Sequence, residues 1–283
     1  MSERLIVSPS DPPAPDGTLI TVTPESAGWS YVGFEAIALA PGRPARRECG
    51  AREVCIVVVS GRLDVIAPVG RWEGVGRRAD PFSGAPEAVY LPPGTSFELA
   101  AVGGTCEAGL CFAPAREGVP PRLVSADEVI PETRGYGAQE RVVRPILMGE
   151  GEAESLLVTE VQTPAGHWSS YPPHKHDRDA LPEESYLEET YYHRLDPARG
   201  FAIQRVYTDD RSLDVALTVR DRDVVLVPRG YHPVGVPPGY RSYYLNVMAG
   251  PSRSWVFRND PDHEWLIADP TPSVPAKPAL DAG

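Results

Sequence analysis

The 283-residue chain contains no run approaching about 18 apolar residues, so no membrane-spanning helix is expected. No Lys/Arg cluster exceeds two or three residues, and 39 acidic against 27 basic residues leave a net charge of -12. Binding driven by phosphates needs a basic face, so no nucleic-acid partner is expected either. The N-terminal stretch MSERLIVSPSDPPAPDG lacks the basic segment and apolar core of a signal peptide. Cysteine is scarce: Cys49, Cys55, Cys106 and Cys111, none in a CxxC pair. With no export signal beside them, they read as free thiols in a reducing cytoplasm. Helical periodicity is weak throughout, and residues 125–130 and 262–267 predict a turn or two each. The first half of the chain has no histidine; all six lie at His167 or later.

Glycine and proline are plentiful instead. The 26 glycines and 32 prolines are about one residue in five, where roughly 12% is usual. Both break helix interiors, which argues against a helical bundle. Hydrophobic residues at 42%, with twelve Tyr and five Trp, exceed what a disordered chain carries. Short β-branched or aromatic runs at residues 54–59, 88–91, 156–159, 224–227 and 243–247 are each bounded nearby by Gly, Pro or Asp. The expected fold is all-β with little helix.

An internal repeat divides the chain. Val89-Tyr90-Leu91-Pro92-Pro93-Gly94 resembles Val225-Leu226-Val227-Pro228-Arg229-Gly230 at an offset of 136 positions, and the same offset carries Glu53 onto Glu189. Two β-domains are therefore expected, residues 1–140 and 141–283, with Gly135-Tyr136-Gly137 as linker. Only the second holds histidines, so the chemistry is assigned there.

Residues two apart on an extended chain share a face. His174 and His176 would thus aim both imidazoles one way, with Lys175 opposite as a solvated or barrel-closing residue. Glu189 can add a carboxylate, and His232, after the Pro228-Arg229-Gly230 turn, a third imidazole. That donor set suits one divalent first-row ion, Zn or Mn before Fe, Co or Ni, with positions left open for substrate or water. An HxH pair alone arises often by chance; the combination carries the reading. Glu188, one residue from Glu189 and on the opposite face, is the competing ligand. His167, His193 and His263 read as surface or packed residues, with His193 a candidate for the cavity wall.

The HxH, the downstream Glu and the Pro-x-Gly followed closely by His resemble the two motifs of cupins, small β-barrels with a metal in the mouth. A duplicated chain with one metal-bearing barrel resembles a bicupin, its first barrel without metal ligands. More closely, the second half is similar to the 5-deoxy-glucuronate isomerase family of myo-inositol catabolism. The residues carrying this are Tyr171-Pro172-Pro173-His174-Lys175-His176-Asp177, Leu187-Glu188-Glu189-Thr190-Tyr191-Tyr192, Gln204-Arg205-Val206-Tyr207-Thr208-Asp209-Asp210, Val227-Pro228-Arg229-Gly230-Tyr231-His232-Pro233, Tyr244-Leu245-Asn246-Val247-Met248 and Pro261-Asp262-His263-Glu264-Trp265. Twelve residues separate His176 from Glu189, where many cupins have three or four. That insertion matches this family's own form and keeps Glu188 and Glu189 both open.

The resemblance implies an aldose–ketose isomerisation, 5-deoxy-D-glucuronate to 2-deoxy-5-keto-D-gluconate. A metal with two adjacent open positions could chelate the aldehyde and its neighbouring hydroxyl and stabilise an enediolate. The proton-transfer base is left open among Glu189, His193, Glu264 and a metal-bound hydroxide; a hydride shift would need none. For the substrate's carboxylate, Arg205 and Tyr207 share a strand face and Arg229 lies near His232; a plain salt bridge from Arg205 to Asp209 or Asp210 is the bland alternative. The small-molecule partner is a sugar acid, and a homo-oligomer is left open. Rival readings are a 4-deoxy-5-keto-uronate isomerase, separable only by substrate panel; a cupin dioxygenase, which would consume oxygen; and a sugar-binding cupin, which would bind without converting.

Overall fold

The computed structural model describes residues 5–268. Among the described residues the architecture is β, with two one-turn α-helices, Pro24–Ala27 and Trp265–Ala268, and a 3-10 turn at Gly137–Gln139. The second answers the turn expected at 262–267; residues 125–130 form only a turn. Four of the five expected strand runs lie in strands, the run 156–159 begins one residue before Leu157–Thr163, and the four cysteines are buried and free. Among the described residues, no helix is long and apolar enough to cross a membrane.

Two antiparallel barrels are present. The first pairs a six-stranded sheet, ordered Arg122–Val124, Ala88–Leu91, Arg52–Ser60, Cys106–Pro114, Gly33–Leu39, Thr18–Val22, with a four-stranded sheet of Ala45–Glu48, Ser96–Ala101, Leu63–Ala67 and Gly70–Val75. The second has a seven-stranded sheet in which Glu188–Asp196 lies between Val224–Val227 and the central strand Arg241–Ala249. Its opposing sheet contains Ala202–Tyr207, Asp214–Val219 and Val234–Gly235. The expected division at residue 140 needs correction at both ends. Ile6–Val7 pairs with Val224–Val227, and Glu132–Arg134 pairs with Arg141–Leu147, so both short strands belong to the second barrel's sheet.

Strand alternation sorts the core into layers. Val54, Ile56 and Val58 point into the first barrel with Ile37, Leu99 and Leu110. Their neighbours Cys55, Val57 and Val59 face out and pack against Val158, Tyr192, Leu245 and Val247 of the second barrel. The second interior is lined by Val161, Tyr191, Val206, Val225 and Tyr244. The barrels therefore bury their large sheets against each other, with burial worth about 1.5–3 kcal/mol per large apolar side chain.

Charge crosses the same interface. Arg78 of the first barrel binds Glu160 of the second through both guanidinium nitrogens at 2.9 Å, and both side chains are buried. Glu107 accepts from Tyr192, Arg194 and Arg222. Two carboxylates act as reciprocal clamps. Glu53 accepts backbone N–H bonds from Glu154, Ser155 and Leu156 at 2.7–2.9 Å, and Glu188 accepts those of Ser30, Tyr31 and Val32 at 2.6–3.0 Å.

Those clamps correct the alignment of the two halves. Glu53 pairs across the sheet with Ala113, and Glu188 with Ala249. One residue on, Val54 pairs with Leu91, as Glu189 pairs with Val227. The offset of 136 holds on the Pro-x-Gly strand and slips by one on the glutamate strand. Glu53 is thus the counterpart of Glu188, and Val54 that of Glu189. A one-residue slip exchanges inside for outside.

Candidate metal centre

His174 and His176 come from the chain around the short strand His174–Lys175, which pairs with Arg258–Asn259. Their alternation with Lys175 sends that side chain the other way, where it closes the barrel edge by binding Asp177 at 2.5 Å and Glu184 at 3.2 Å. His232 follows the Pro228-Arg229-Gly230 turn. Gly230 has φ +86°, and a Cβ there would lie 2.4 Å from the Tyr207 carbonyl oxygen, so the turn requires glycine. On Glu188–Asp196, residues 189, 191 and 193 face the barrel interior, while Glu188 faces the other barrel.

One nitrogen from each of His174, His176 and His232 lies within 4.8 Å of the other two. Glu189 Oε2 stands 3.1 Å from Nε2 of both His176 and His232. The Nδ1 atoms are engaged by backbone carbonyls, His176 with Leu187 at 3.1 Å and His232 with Gly230 at 2.8 Å. Their Nε2 atoms and Glu189 Oε2 are buried without hydrogen-bond partners. Buried polar atoms without partners are costly. Here the orphaned atoms converge on one point, and their chemistry suits a divalent first-row ion. Asn246 Nδ2 donates to the other oxygen of Glu189 and fixes the carboxylate. Burial raises the Glu189 pKa, but His232 and His176 outweigh it and hold the carboxyl down to about 2. Burial, with His232 and His176 beside it, keeps His174 well below the usual imidazole range.

A small cavity of about 40 Å³ opens beside the cluster, lined by His174, Glu189, Tyr191, Ser170, Tyr244 and Asn246 among others. Ser170 Oγ bridges the hydroxyls of Tyr191 and Tyr244 at 3.1 and 3.3 Å. Burial raises both tyrosine pKa values, so both stay protonated at neutral pH. An adjoining outer cavity of about 450 Å³ shares Arg134, Arg141, His174 and Trp255 with the inner one.

The other expected site residues fall elsewhere. Arg205 and Tyr207 do share a face, but it is the outer one. Gln204 and Val206 occupy the inner face, and Gln204 meets His193 there. Arg205 is instead bound through two nitrogens to Asp214 at 2.8 Å, a partner other than the Asp209 or Asp210 weighed from sequence. Tyr207 donates to Asp260 at 2.7 Å. Arg229 lines a separate surface cavity of about 620 Å³ with Asp177, Tyr186 and Glu188. Glu264 is exposed and is not among the residues lining either cavity at the cluster. His193 is buried beneath Tyr191, its ring stacked at 6.0 Å and its Nε2 3.0 Å from Gln204. It too is off the cavity wall. Sequence reasoning missed Tyr191, Tyr244, Asn246, Ser170 and Arg141. The spacing of two between Glu189 and Tyr191, and between Tyr244 and Asn246, was a usable signal for three of these five residues.

Back-to-back antiparallel barrels with three imidazoles and a carboxylate gathered in one of them define a two-barrel cupin. The fold agrees with that of the oxalate decarboxylase of Lactobacillus farciminis, at a TM-score of 0.63 and 14% identity over 95% of this chain and 92% of that one. Closer in sequence, an IolB-like protein of Salmonella typhimurium LT2 superposes with a TM-score of 0.89 at 44% identity, covering 93% of this chain and 99% of its own. The KduI/IolB family model matches residues 6–266. The 5-deoxy-glucuronate isomerase of Geobacillus kaustophilus is 52% identical over 93% of this chain and 95% of its own length. That of Bacillus subtilis strain 168 is 49% identical over 87% and 91%. The chain belongs to the KduI/IolB family.

Proposed function

We propose that the protein is an aldose–ketose isomerase converting 5-deoxy-D-glucuronate to 2-deoxy-5-keto-D-gluconate, with one divalent ion held by His174, His176, Glu189 and His232. The observation that carries this is the convergence of buried, unpartnered ligand atoms in a chain about half identical to enzymes of that name. Zn or Mn suits the three-imidazole, one-carboxylate set best, and leaves the site near +1. When bound, the ion supplies Lewis acidity to the aldehyde oxygen and the adjacent hydroxyl.

The chain's own groups do the rest. Asn246 orients Glu189, which stays ionised. The Tyr191–Ser170–Tyr244 hydroxyl set holds protons at the cavity wall, where oxygens gain and lose them during isomerisation. Glu264 is exposed and His193 lies beneath Tyr191, which leaves Glu189 as the carboxylate on the cavity wall for the carbon-bound proton, beside a metal-bound hydroxide or a hydride shift that needs no base. Four buried free thiols fit a reducing compartment, consistent with a cytoplasmic enzyme.

Metal-loaded protein should convert 5-deoxy-glucuronate to the ketose by NMR, anaerobically and with no net redox change. Elemental analysis should find about one divalent ion per chain, lost in His174→Ala together with turnover. Absence of conversion by fully loaded protein would overturn the substrate reading. Full activity in metal-stripped protein would overturn the metal assignment.

A further inference from the structure

An acidic chain that takes an anionic substrate needs a local cation to hold it. Two arginines line the inner cavity, Arg134 and Arg141, and they stand directly opposite each other on the paired strands Glu132–Arg134 and Arg141–Leu147. Like charges so placed are unfavourable. Arg134 has its own partners: it binds Glu132 at 2.6 Å, and its guanidinium lies 5.6 Å from the Trp255 ring centre. Arg141 has no carboxylate partner among the described residues. Among the described residues, its hydrogen-bond partner is the Gln139 carbonyl oxygen, at 3.2 Å. A half-buried guanidinium without a counter-charge, facing a second one, costs free energy that an incoming anion would recover.

The surrounding loop is shaped around it. Gly135 has φ +80°, and a Cβ there would lie 2.7 Å from Arg141 Nη1 and 2.3 Å from the Gln139 oxygen. Glycine is what lets the chain fold over the guanidinium. Tyr136 ties the same loop to the C-terminal helical turn by donating to the Leu266 carbonyl. Arg141 thus sits where the inner cavity, with His174 and Glu189, meets the outer one, with Tyr171 and Phe257.

We propose that Arg141 is the anion anchor of this site, receiving the substrate's carboxylate while the aldehyde end lies at His174, His176 and His232. This rests on the substrate reading above and adds the residue that selects an acid over a neutral sugar. Arg134 holds the outer side of the same opening and makes the smaller contribution, because Glu132 already neutralises it.

The test separates this assignment from the substrate reading. Metal-loaded wild type and Arg141→Gln are compared for turnover of 5-deoxy-glucuronate, and for calorimetric binding of D-glucuronate against D-glucose. Metal content and melting temperature verify that the variant is folded and loaded. Arg141→Gln should raise KM about 10- to 100-fold and abolish the preference for glucuronate, with Arg141→Lys restoring part of both. If the wild type isomerises its substrate but the preference survives in Arg141→Gln, the anchor is wrong and the function stands. If the wild type converts nothing yet prefers glucuronate only while Arg141 is present, the function is wrong and the anchor stands. No preference for glucuronate in the wild type overturns the anchor outright.

Discussion

The two barrels share one sheet plan but differ in what fills it. In the first, the interior face of the central strand carries Val54, Ile56 and Val58, and the barrel closes on an apolar core. In the second, the matching face carries Glu189, Tyr191 and His193, and the interior holds polar groups that converge. The outward face is alike in both: Glu53 and Glu188, equivalent by register, each clamp three backbone N–H groups of the opposite barrel. The device that joins the halves is the same in both, while one interior is an apolar packed body and the other gathers buried polar groups. A carboxylate on one strand can therefore mean chemistry or assembly according to parity alone.

The sharpest way to break that comparison is to swap adjacent glutamates. Glu189→Gln should lower kcat/KM by more than about 1000-fold and strip bound metal, the equivalent of roughly 4 kcal/mol. Glu188→Gln should leave metal content at the wild-type level and lose only about 1–3 kcal/mol of stability, as should Glu53→Gln. Metal loss in Glu188→Gln, measured by elemental analysis, would contradict the register. Next in size is the charge pair between the barrels. Glu160→Ala leaves Arg78 buried and uncompensated, and denaturant titration should show about 3–5 kcal/mol lost.

The smallest effect appears only with pH. Burial lowers the His193 pKa to about 4, whereas the unfolded imidazole titrates near 6.5. Below about 6.5 the unfolded chain therefore binds a proton that the folded one refuses, and stability falls until pH reaches the folded value. The loss approaches about 3.4 kcal/mol only at and below the lower limit and is a fraction of that through most of the range. Melting curves between these limits should flatten in His193→Gln. An unchanged slope would remove His193 as the source. The first barrel has no histidine to contribute.

Much of the site was legible because local geometry carried it. The i, i+2 spacing of His174 and His176 needs only an extended chain, and the Pro-x-Gly turn announces where His232 arrives. Parity is what residue type leaves undecided. Arg205 is a candidate for the substrate's carboxylate by type, with a salt bridge as its alternative; its strand presents Gln204 inward, and alternation sends Arg205 outward to Asp214. Glu53 was aligned with Glu189 because a fixed offset ignores the one-residue slip between strands. Arg141 gave no signal at all, because its significance depends on Arg134 across a strand pair and on a glycine loop.

From sequence alone came the all-β class, the two-barrel expectation and the candidate histidines of the second half. Periodicity, breakers and residue types are properties of neighbouring residues along the chain. The tertiary structure alone decided which of two glutamates faces the imidazoles, which of the paired Arg134 and Arg141 has no carboxylate partner among the described residues, and that Ile6–Val7 completes the far barrel's sheet. Each of those depends on pairing between segments distant in sequence, and a shift of one residue in that pairing turns an inward carboxylate into a clamp.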